Sequence, residues 1–347
     1  MKKYLSLYNE TKKNILNGVY KTNEKLPSKR VMADRSGLSL ITVEKAYSML
    51  EEEGYIFASQ RKGYFVNPID AVFVKKSKSE NIHFEYLEEP KNENKCDFEY
   101  SVWFKTVRKV ISDRGNELFI KSPSKGCAVL RNALSDYLLR YRGMAAPPQS
   151  IIIGSGSEQL YEFVVRLLGN NKVYGIENPS FEYISSVYSQ MGAKICPLDL
   201  GDDGIKSGEL TKKFDVLHIT PFHSYPTGIT APIKKRQEYL KIAKERGIYI
   251  VEDDFDSEFF IPGQPVETLY SMDNSDRVIY INTFSKSLSP SMRMGYMILP
   301  KKLVEEYDKK LEHFSCSVPV MDQYILAEFI SSGNFERHLS RIRRKMK

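Results

Sequence analysis

Cysteine is scarce in this chain and never closely paired. Cys96, Cys127, Cys196 and Cys316 stand far apart, without the short spacings of a metal site or a disulfide framework. Reduced thiols in a cytoplasmic protein are the plain expectation. Long hydrophobic runs are also missing. Nothing approaches the roughly 18 apolar residues that cross a bilayer, and the start, Met1-Lys2-Lys3-Tyr4, lacks the apolar stretch of a signal peptide. No membrane partner is expected. Most of the chain has little net charge. Residues 1–68 hold twelve Lys/Arg against seven Asp/Glu, which is +5 of the total +7, and the other 279 residues carry only +2. A small basic part joined to a nearly neutral large one suits phosphate contacts made by the first, although a well-solvated small domain would have the same balance. At 347 residues, two domains are expected.

Residues 5–17 set Leu5, Tyr8, Ile15 and Leu16 on roughly one helical face until Gly18 breaks the pattern. Pro27-Ser28 reads as a helix start, with Ser28 capping a short helix through Ser36 and Gly37 turning the chain. Ser39 opens the next helix, where Val43, Ala46, Tyr47 and Leu50 recur at helical spacing. Two short helices joined by a few residues including a glycine form a helix-turn-helix pattern; a helical hairpin without a DNA role is the competing reading. Leu40, Thr42, Glu44 and Lys45 stand near the start of the second helix, the end that enters a major groove. Beyond Gly54, strands at 55–58 and 63–66 flank Ser59-Gln60-Arg61-Lys62, either a basic wing tip reaching DNA or an ordinary charged turn. Residues 69–95 are polar with few core residues and read as a linker.

From about residue 98, helical and apolar strand patterns alternate. Strands are expected at 151–153, 172–176, 216–219, 248–251, 278–281 and 295–299, and helices at 157–169, 180–191, 234–246 and 301–314. That order predicts an α/β domain with a mostly parallel sheet covered on both faces, its functional residues at strand ends and helix starts. Gly154-Ser155-Gly156-Ser157-Glu158-Gln159 follows a strand and opens a helix, so its N–H groups are able to cradle a phosphate, though small residues cap many helices. Glu252-Asp253-Asp254 ends another strand. Three acids there suggest a metal site, for which no histidine or fourth acid has suitable sequence support, or one buried Asp that keeps a ring nitrogen protonated. Lys286 follows the next strand beside the Thr283 and Ser285 hydroxyls, with Arg293 suited to a dianionic phosphate. An amine, an acid for a ring nitrogen, and hydroxyls, N–H groups and an arginine for a phosphate together specify pyridoxal 5′-phosphate.

The run Lys25-Leu26-Pro27-Ser28-Lys29-Arg30, the Ser39/Thr42 pair and the segments Glu53-Gly54-Tyr55 and Gly63-Tyr64-Phe65-Val66 resemble the GntR-type winged helix-turn-helix domain. The resemblance implies a double-stranded DNA operator met by Lys29, Arg30, Ser39, Thr42, Lys45, Arg61 and Lys62. Leu40 stands where that family often has an arginine, so one common polar contact is missing. The remainder resembles the fold-type I aminotransferases, and the whole resembles the MocR-like regulators that join the two. The strongest motifs are Gly154 to Gln159, Glu177-Asn178-Pro179-Ser180-Phe181, Thr220 to Gly228, Glu252 to Phe259, and Thr283-Phe284-Ser285-Lys286 with Arg293-Met294-Gly295-Tyr296. By that resemblance Lys286 is the catalytic lysine that bonds the cofactor, and Asp253 partners the pyridine nitrogen. Ser155, Gly156, Ser157, Thr283, Ser285 and Arg293 serve the phosphate. Phe181 lies against the ring, core packing being its bland alternative. A homodimer and a small amine or amino-acid effector are implied as well.

The chain departs from the pattern in four places. Phe255 replaces a tyrosine whose hydroxyl bonds the cofactor, and Tyr225 stands where many aminotransferases have asparagine. Phe98-Glu99-Tyr100-Ser101 almost touches Trp103-Phe104, where relatives carry a longer segment. The chain also stops at Met346-Lys347, inside an expected helix leading to a small C-terminal domain, and the basic residues from Arg337 onward read as an exposed helix face. The expected plan is a DNA-binding domain at 1–68, a linker at 69–95 and an incomplete aminotransferase-like domain at 96–347. The expected function is a transcriptional regulator with little or no turnover; the alternative is a working aminotransferase acting on an amino acid.

Overall fold

The computed structural model describes residues 3–60, 62–68, 98–259 and 267–345. The chain separates into two compact units, Met1–Lys91 and Asn92–Lys347. The expected linker at 69–95, together with Arg61 and Cys96, lies outside the described residues.

In the small unit, helix α1 (Lys3–Leu16) buries Leu7, Tyr8, Thr11 and Ile15, while Leu5 and Leu16 sit half-buried at the margin of that face. Helix α2 (Lys29–Ser36) begins where Ser28 Oγ accepts the Val31 N–H at 3.3 Å. It stops at Gly37, whose φ of 65° is left-handed and favours glycine. Helix α3 (Leu40–Glu52) is capped by Ser39 and fully buries Val43, Ala46, Tyr47 and Leu50. The Tyr47 hydroxyl donates to the Pro27 carbonyl at 2.9 Å, tying α3 to the entry of α2. Strands β1 (Ile56–Ser59) and β2 (Gly63–Val66) pair antiparallel, and Ile56 and Val66 close the same core. The unit is a helix-turn-helix with a wing.

The large unit holds one sheet of β3 (Ile151–Gly154), β4 (Val173–Asn178), β5 (Lys194–Gly201), β6 (Gly204–Ile205), β7 (Val216–Ile219), β8 (Tyr249–Asp253), β9 (Val278–Thr283) and β10 (Gly295–Ile298). Their order is β3-β10-β9-β8-β7-β4-β5-β6. From β9 to β5 the neighbours are parallel, whereas β10 runs antiparallel between β9 and β3. Strands β3, β7, β9 and β10 are buried end to end, as a sheet covered on both faces requires. The two-residue alternation divides them: Ile151, Ile153 and Tyr280 enter one core, and Ile152, Ile279 and Ile281 the other. Helices α4 (Tyr100–Arg114), α5 (Ala128–Arg142), α6 (Ser157–Leu168), α7 (Glu182–Gln190), α8 (Ile233–Arg246), α9 (Leu269–Met272), α10 (Phe284–Ser287), α11 (Lys301–Leu311), α12 (Val320–Ser331) and α13 (Asn334–Lys345) complete the unit. Leu134, Leu326 and Phe335 of α5, α12 and α13 fill the first core, and Leu160, Tyr188 and Tyr307 of α6, α7 and α11 fill the second.

Two expectations need correction. Strand β5 was not foreseen, because Pro197 and its polar residues hide a strand pattern. It lies next to the sheet edge, where β6 pairs only Leu200 and Gly201, and an unpaired side tolerates a proline. The basic residues of α13 are not all on an exposed face. Arg341 pairs with Glu99, and Arg343 Nε donates to the Glu258 carbonyl at 2.6 Å, so both are half-buried, whereas Arg344 and Lys345 are exposed. Phe98 and Trp103 belong to the same packing, Phe98 edge-on to His338 and Trp103 to Phe329.

Topology sets where a site can form. Strands β4, β7, β8 and β9 share one direction, so Asn178, Ile219, Asp253 and Thr283 end at one edge. Because β10 is antiparallel it starts at that edge, with Gly295 opposite both Thr283 and Gly154. Arg293, just before β10, and the loop after Gly154 therefore meet there.

Candidate functional site

A cavity of about 200 Å³ opens at this edge. Ser157, Tyr161, Phe181, Ile184, Thr220, Tyr225, Asp253, Phe255 and Thr283 line it. Four of the residues singled out from sequence (Ser157, Phe181, Asp253 and Thr283) thus converge from the starts of α6 and α7 and the ends of β8 and β9. Phe181 is 44% exposed, stacked on Tyr183 and edge-on to Tyr225. It is a cavity wall rather than a core residue.

Asp253 is buried, and two side chains approach its Oδ2. Tyr161, one helical turn after Ser157, donates its hydroxyl to Asp253 Oδ2. His218 Nε2, from β7, lies 3.7 Å from the same oxygen. Burial, and then the Asp253 charge, hold the Tyr161 phenol well above its ordinary range, so it remains a donor. His218 Nδ1 is 2.7 Å from the Tyr188 hydroxyl, while Nε2 has no hydrogen-bond partner among the described residues. Sequence reasoning missed Tyr161 and His218. The spacing of four residues from Ser157 on a helix was the available signal for Tyr161.

The three acids at the end of β8 diverge. Glu252 accepts the Leu269 and Tyr270 N–H groups at 2.8 and 2.9 Å. Asp254 accepts from Arg142 Nη2 at 2.8 Å and from the Tyr280 hydroxyl at 2.6 Å. Only Asp253 of the three lines the cavity, and no group of three acids, histidines or cysteines able to hold a metal occurs among the described residues. Glu177, at the end of β4, is buried and accepts from Ser224 Oγ at 2.7 Å, and burial pushes its carboxyl up to about 7.

Beside the cavity, Gly156 caps α6 with φ 95° and ψ −178°. A Cβ added there would lie 3.3 Å from Arg293 Nη2, so the guanidinium packs directly on this glycine. In turn, Arg293 Nη2 is 3.0 Å from Glu158 Oε2. The Ser155 N–H donates to Gln159 Oε1 at 2.9 Å, and its hydroxyl is 3.3 Å from the same oxygen. Ser285 is half-buried in the α10 turn. Lys286 is not among the residues lining the cavity. Its side chain is 49% exposed, and Nζ lies 2.6 Å from Asp256 Oδ1 and over the ring of Phe255.

In the small unit, several of the expected DNA-contacting side chains have partners within the protein. Ser39 Oγ is 2.8 Å from Thr42 Oγ1 and also accepts the Thr42 N–H. Lys29 Nζ is 3.4 Å from Glu44 Oε1, and Lys45 Nζ stands 4.5 Å above the Tyr4 ring. Arg30 and Lys62 are exposed.

Known proteins sort the two units the same way. Residues 3–66 match the bacterial regulatory proteins of the gntR family, and residues 92–347 match aminotransferase class I and II. An uncharacterized HTH-type transcriptional regulator of Bacillus subtilis, YdeL, is 33% identical over 98% of this chain and 76% of its own length. The probable rhizopine catabolism regulatory protein MocR of Rhizobium meliloti is 28% identical over 97% of this chain and 73% of its own. Among solved structures, a kynurenine aminotransferase of Pyrococcus horikoshii superposes with TM-score 0.64 at 25% identity, over 71% of this chain and 64% of that one. An archaeal alanine:glyoxylate aminotransferase gives 0.63 at 24%, over 69% of this chain and 61% of that one. The chain thus spans less than two thirds of these aminotransferases but about three quarters of the curated regulators. No helix of the described residues is long and apolar enough to cross a membrane. With a gntR-type helix-turn-helix joined to a fold-type I aminotransferase-like domain, the chain belongs to the GntR/MocR-like transcriptional regulators.

Proposed function

We propose that residues 1–68 read a double-stranded DNA operator and that the cavity at the sheet edge holds pyridoxal 5′-phosphate, through which a small amine or amino acid is sensed. A homodimer would present two recognition helices to two half-sites. The observation that carries the cofactor reading is the buried Asp253 carboxylate, anchored on one oxygen by Tyr161 and opening onto a cavity with an aromatic wall.

The donor set fits the group. Asp253 would hold a pyridine nitrogen in its protonated form, because a fixed carboxylate favours the adjacent cation. Phe181 would cover the ring face. At the other end, Ser157, Thr283, the N–H groups at the start of α6 and the Arg293 guanidinium would meet the phosphate, with Gly156 allowing the close approach. When bound, the cofactor supplies an aldehyde for primary amines and an electron-withdrawing ring. Lys286 would provide the amine that anchors it, after leaving Asp256.

One feature favours sensing over turnover: Phe255, over whose ring Lys286 Nζ lies, offers no hydroxyl to a ligand. Small misplacements of a catalytic base cost rate heavily, whereas a sensor needs only ligand exchange. Purified protein mixed with pyridoxal 5′-phosphate is expected to gain near-ultraviolet or visible absorbance and a borohydride-reducible adduct that Lys286→Ala abolishes. An adduct that persists in the variant, or none in the parent, overturns the cofactor assignment. DNA titrations of the full chain at two salt concentrations test the other half. Arg30→Ala is expected to weaken operator binding, and Lys62→Ala to weaken binding to all sequences and lower the salt slope by about 1. Rapid interconversion of amino and keto acids at about 1–10³ s⁻¹ would instead make the chain an aminotransferase.

A further inference from the structure

Helix α3 presents two large aliphatic side chains to solvent at its first two positions. Ile41 is 77% exposed and Leu40 40%, although the helix has a fully buried face of its own in Val43, Ala46, Tyr47 and Leu50. These aliphatics stand where a partner would meet them, because α3 is the second helix of a helix-turn-helix and its N-terminal residues face base edges when such a helix enters a major groove. The polar side chains around them are largely engaged. Thr42 is hydrogen-bonded to the capping Ser39, Glu44 is paired with Lys29, and Lys45 stands over Tyr4. Among the exposed side chains at this end of α3, Leu40 and Ile41 are apolar, while the exposed polar ones beside them already have partners within the protein. In the major groove the apolar feature that distinguishes bases is the 5-methyl group of thymine.

We propose, resting on the operator-binding reading above, that Ile41 with Leu40 beside it recognises thymine methyl groups, so that each operator half-site carries thymine where the start of α3 enters the groove. Sequence specificity at those positions then comes from packing rather than from hydrogen bonds. Lys62, exposed in the wing, would add phosphate contacts that do not discriminate bases.

Deoxyuridine substitution tests this, since it removes the methyl and keeps the pairing edge and the backbone. A bound sequence is first selected from random duplex DNA with the full-length protein, and each thymine in the protected region is then replaced singly. Burial of one methyl corresponds to about a fourfold change in affinity. At one or more thymines per half-site the parent is expected to lose about fourfold. The same replacements are expected to cost nothing in a Leu40→Ala/Ile41→Ala variant, because the partner of the methyl is gone. Both residues are exposed, and the variant's binding to non-specific DNA, set by phosphates, serves as the measure that its fold is intact. Specific binding by the parent that is indifferent to every uridine overturns the proposal while leaving the operator reading intact. A uridine penalty that survives in the variant overturns it equally. Failure to select any preferred sequence overturns both.

Discussion

Lys286 Nζ lies 2.6 Å from Asp256 Oδ1, and Asp256 Oδ2 lies 3.2 Å from His223 Nδ1. The lysine expected to anchor a cofactor is therefore held by a neighbour of the cavity rather than inside it. Capture requires that pair to break. Because the lysine is half-exposed, the pair is worth only about 0.2–1 kcal/mol. Asp256→Asn is accordingly expected to speed formation of the reducible adduct by about 1.4-fold to fivefold, as measured by absorbance after rapid mixing with pyridoxal 5′-phosphate. A rate that is unchanged or lower would show that Asp256 does not restrain the lysine.

At Gly156 an added methyl group would meet the proposed phosphate end directly, through Arg293. Its φ of 95° is a conformation L-residues avoid, and the added Cβ would stand 3.3 Å from Arg293 Nη2. Strain of this kind costs about 1–3 kcal/mol. Gly156→Ala is expected to weaken cofactor affinity about tenfold or more and to lower the melting temperature by a few degrees. Equilibrium titration and thermal unfolding measure the two effects separately, and wild-type affinity in a variant of normal stability would move the phosphate elsewhere.

Much of this site was legible in sequence because its residues fall at punctuation points. Asp253 and Thr283 end apolar runs, and Gly156-Ser157 stands between a strand and an amphipathic helix, so local pattern alone placed them at one edge of a parallel sheet. The small unit was legible for the same reason, since Ser28, Gly37 and Ser39 are cap residues whose chemistry demands those positions. What escaped depended on contacts distant in sequence. Tyr161 reaches Asp253 across 92 residues, and His218 looks like any residue of a buried strand. Asp256 was hidden among acids whose directions only the fold separates. Strand β5 was lost because Pro197 contradicts a strand everywhere except near an open edge.

Buried Glu177 gives the large unit a predictable pH response. Burial raises its carboxyl to about 7 from an ordinary value of 4.5. The unfolded chain thus releases this proton at lower pH than the folded one. The stabilising contribution of the protonated group is complete below about pH 4.5 and is lost as pH rises through about 7, up to about 3 kcal/mol in all. Glu177→Gln keeps a neutral group beside Ser224. It is expected to lose less stability than the parent between about pH 5 and pH 8, as followed by urea unfolding at a series of pH values. Parallel profiles for the two proteins would mean that Glu177 is ionised in the folded state throughout.

Phe255 lines the cavity two residues beyond Asp253, and the Lys286 ammonium sits 5.1 Å from its ring centroid. Phe255→Tyr adds one donor to a site that otherwise already has its aromatic wall. If a cofactor oxygen lies against this ring, the new hydrogen bond contributes about 1 kcal/mol. The expected result is about fivefold tighter binding of pyridoxal 5′-phosphate, with an altered absorbance maximum as the donor polarises the chromophore. The opposite result is equally informative. A hydroxyl without a partner in a partly apolar cavity carries a desolvation cost of similar size, so weaker binding in Phe255→Tyr would mean that no acceptor faces residue 255. The ring would then have to lie along a different wall of the cavity from the one that Asp253 and Phe181 define.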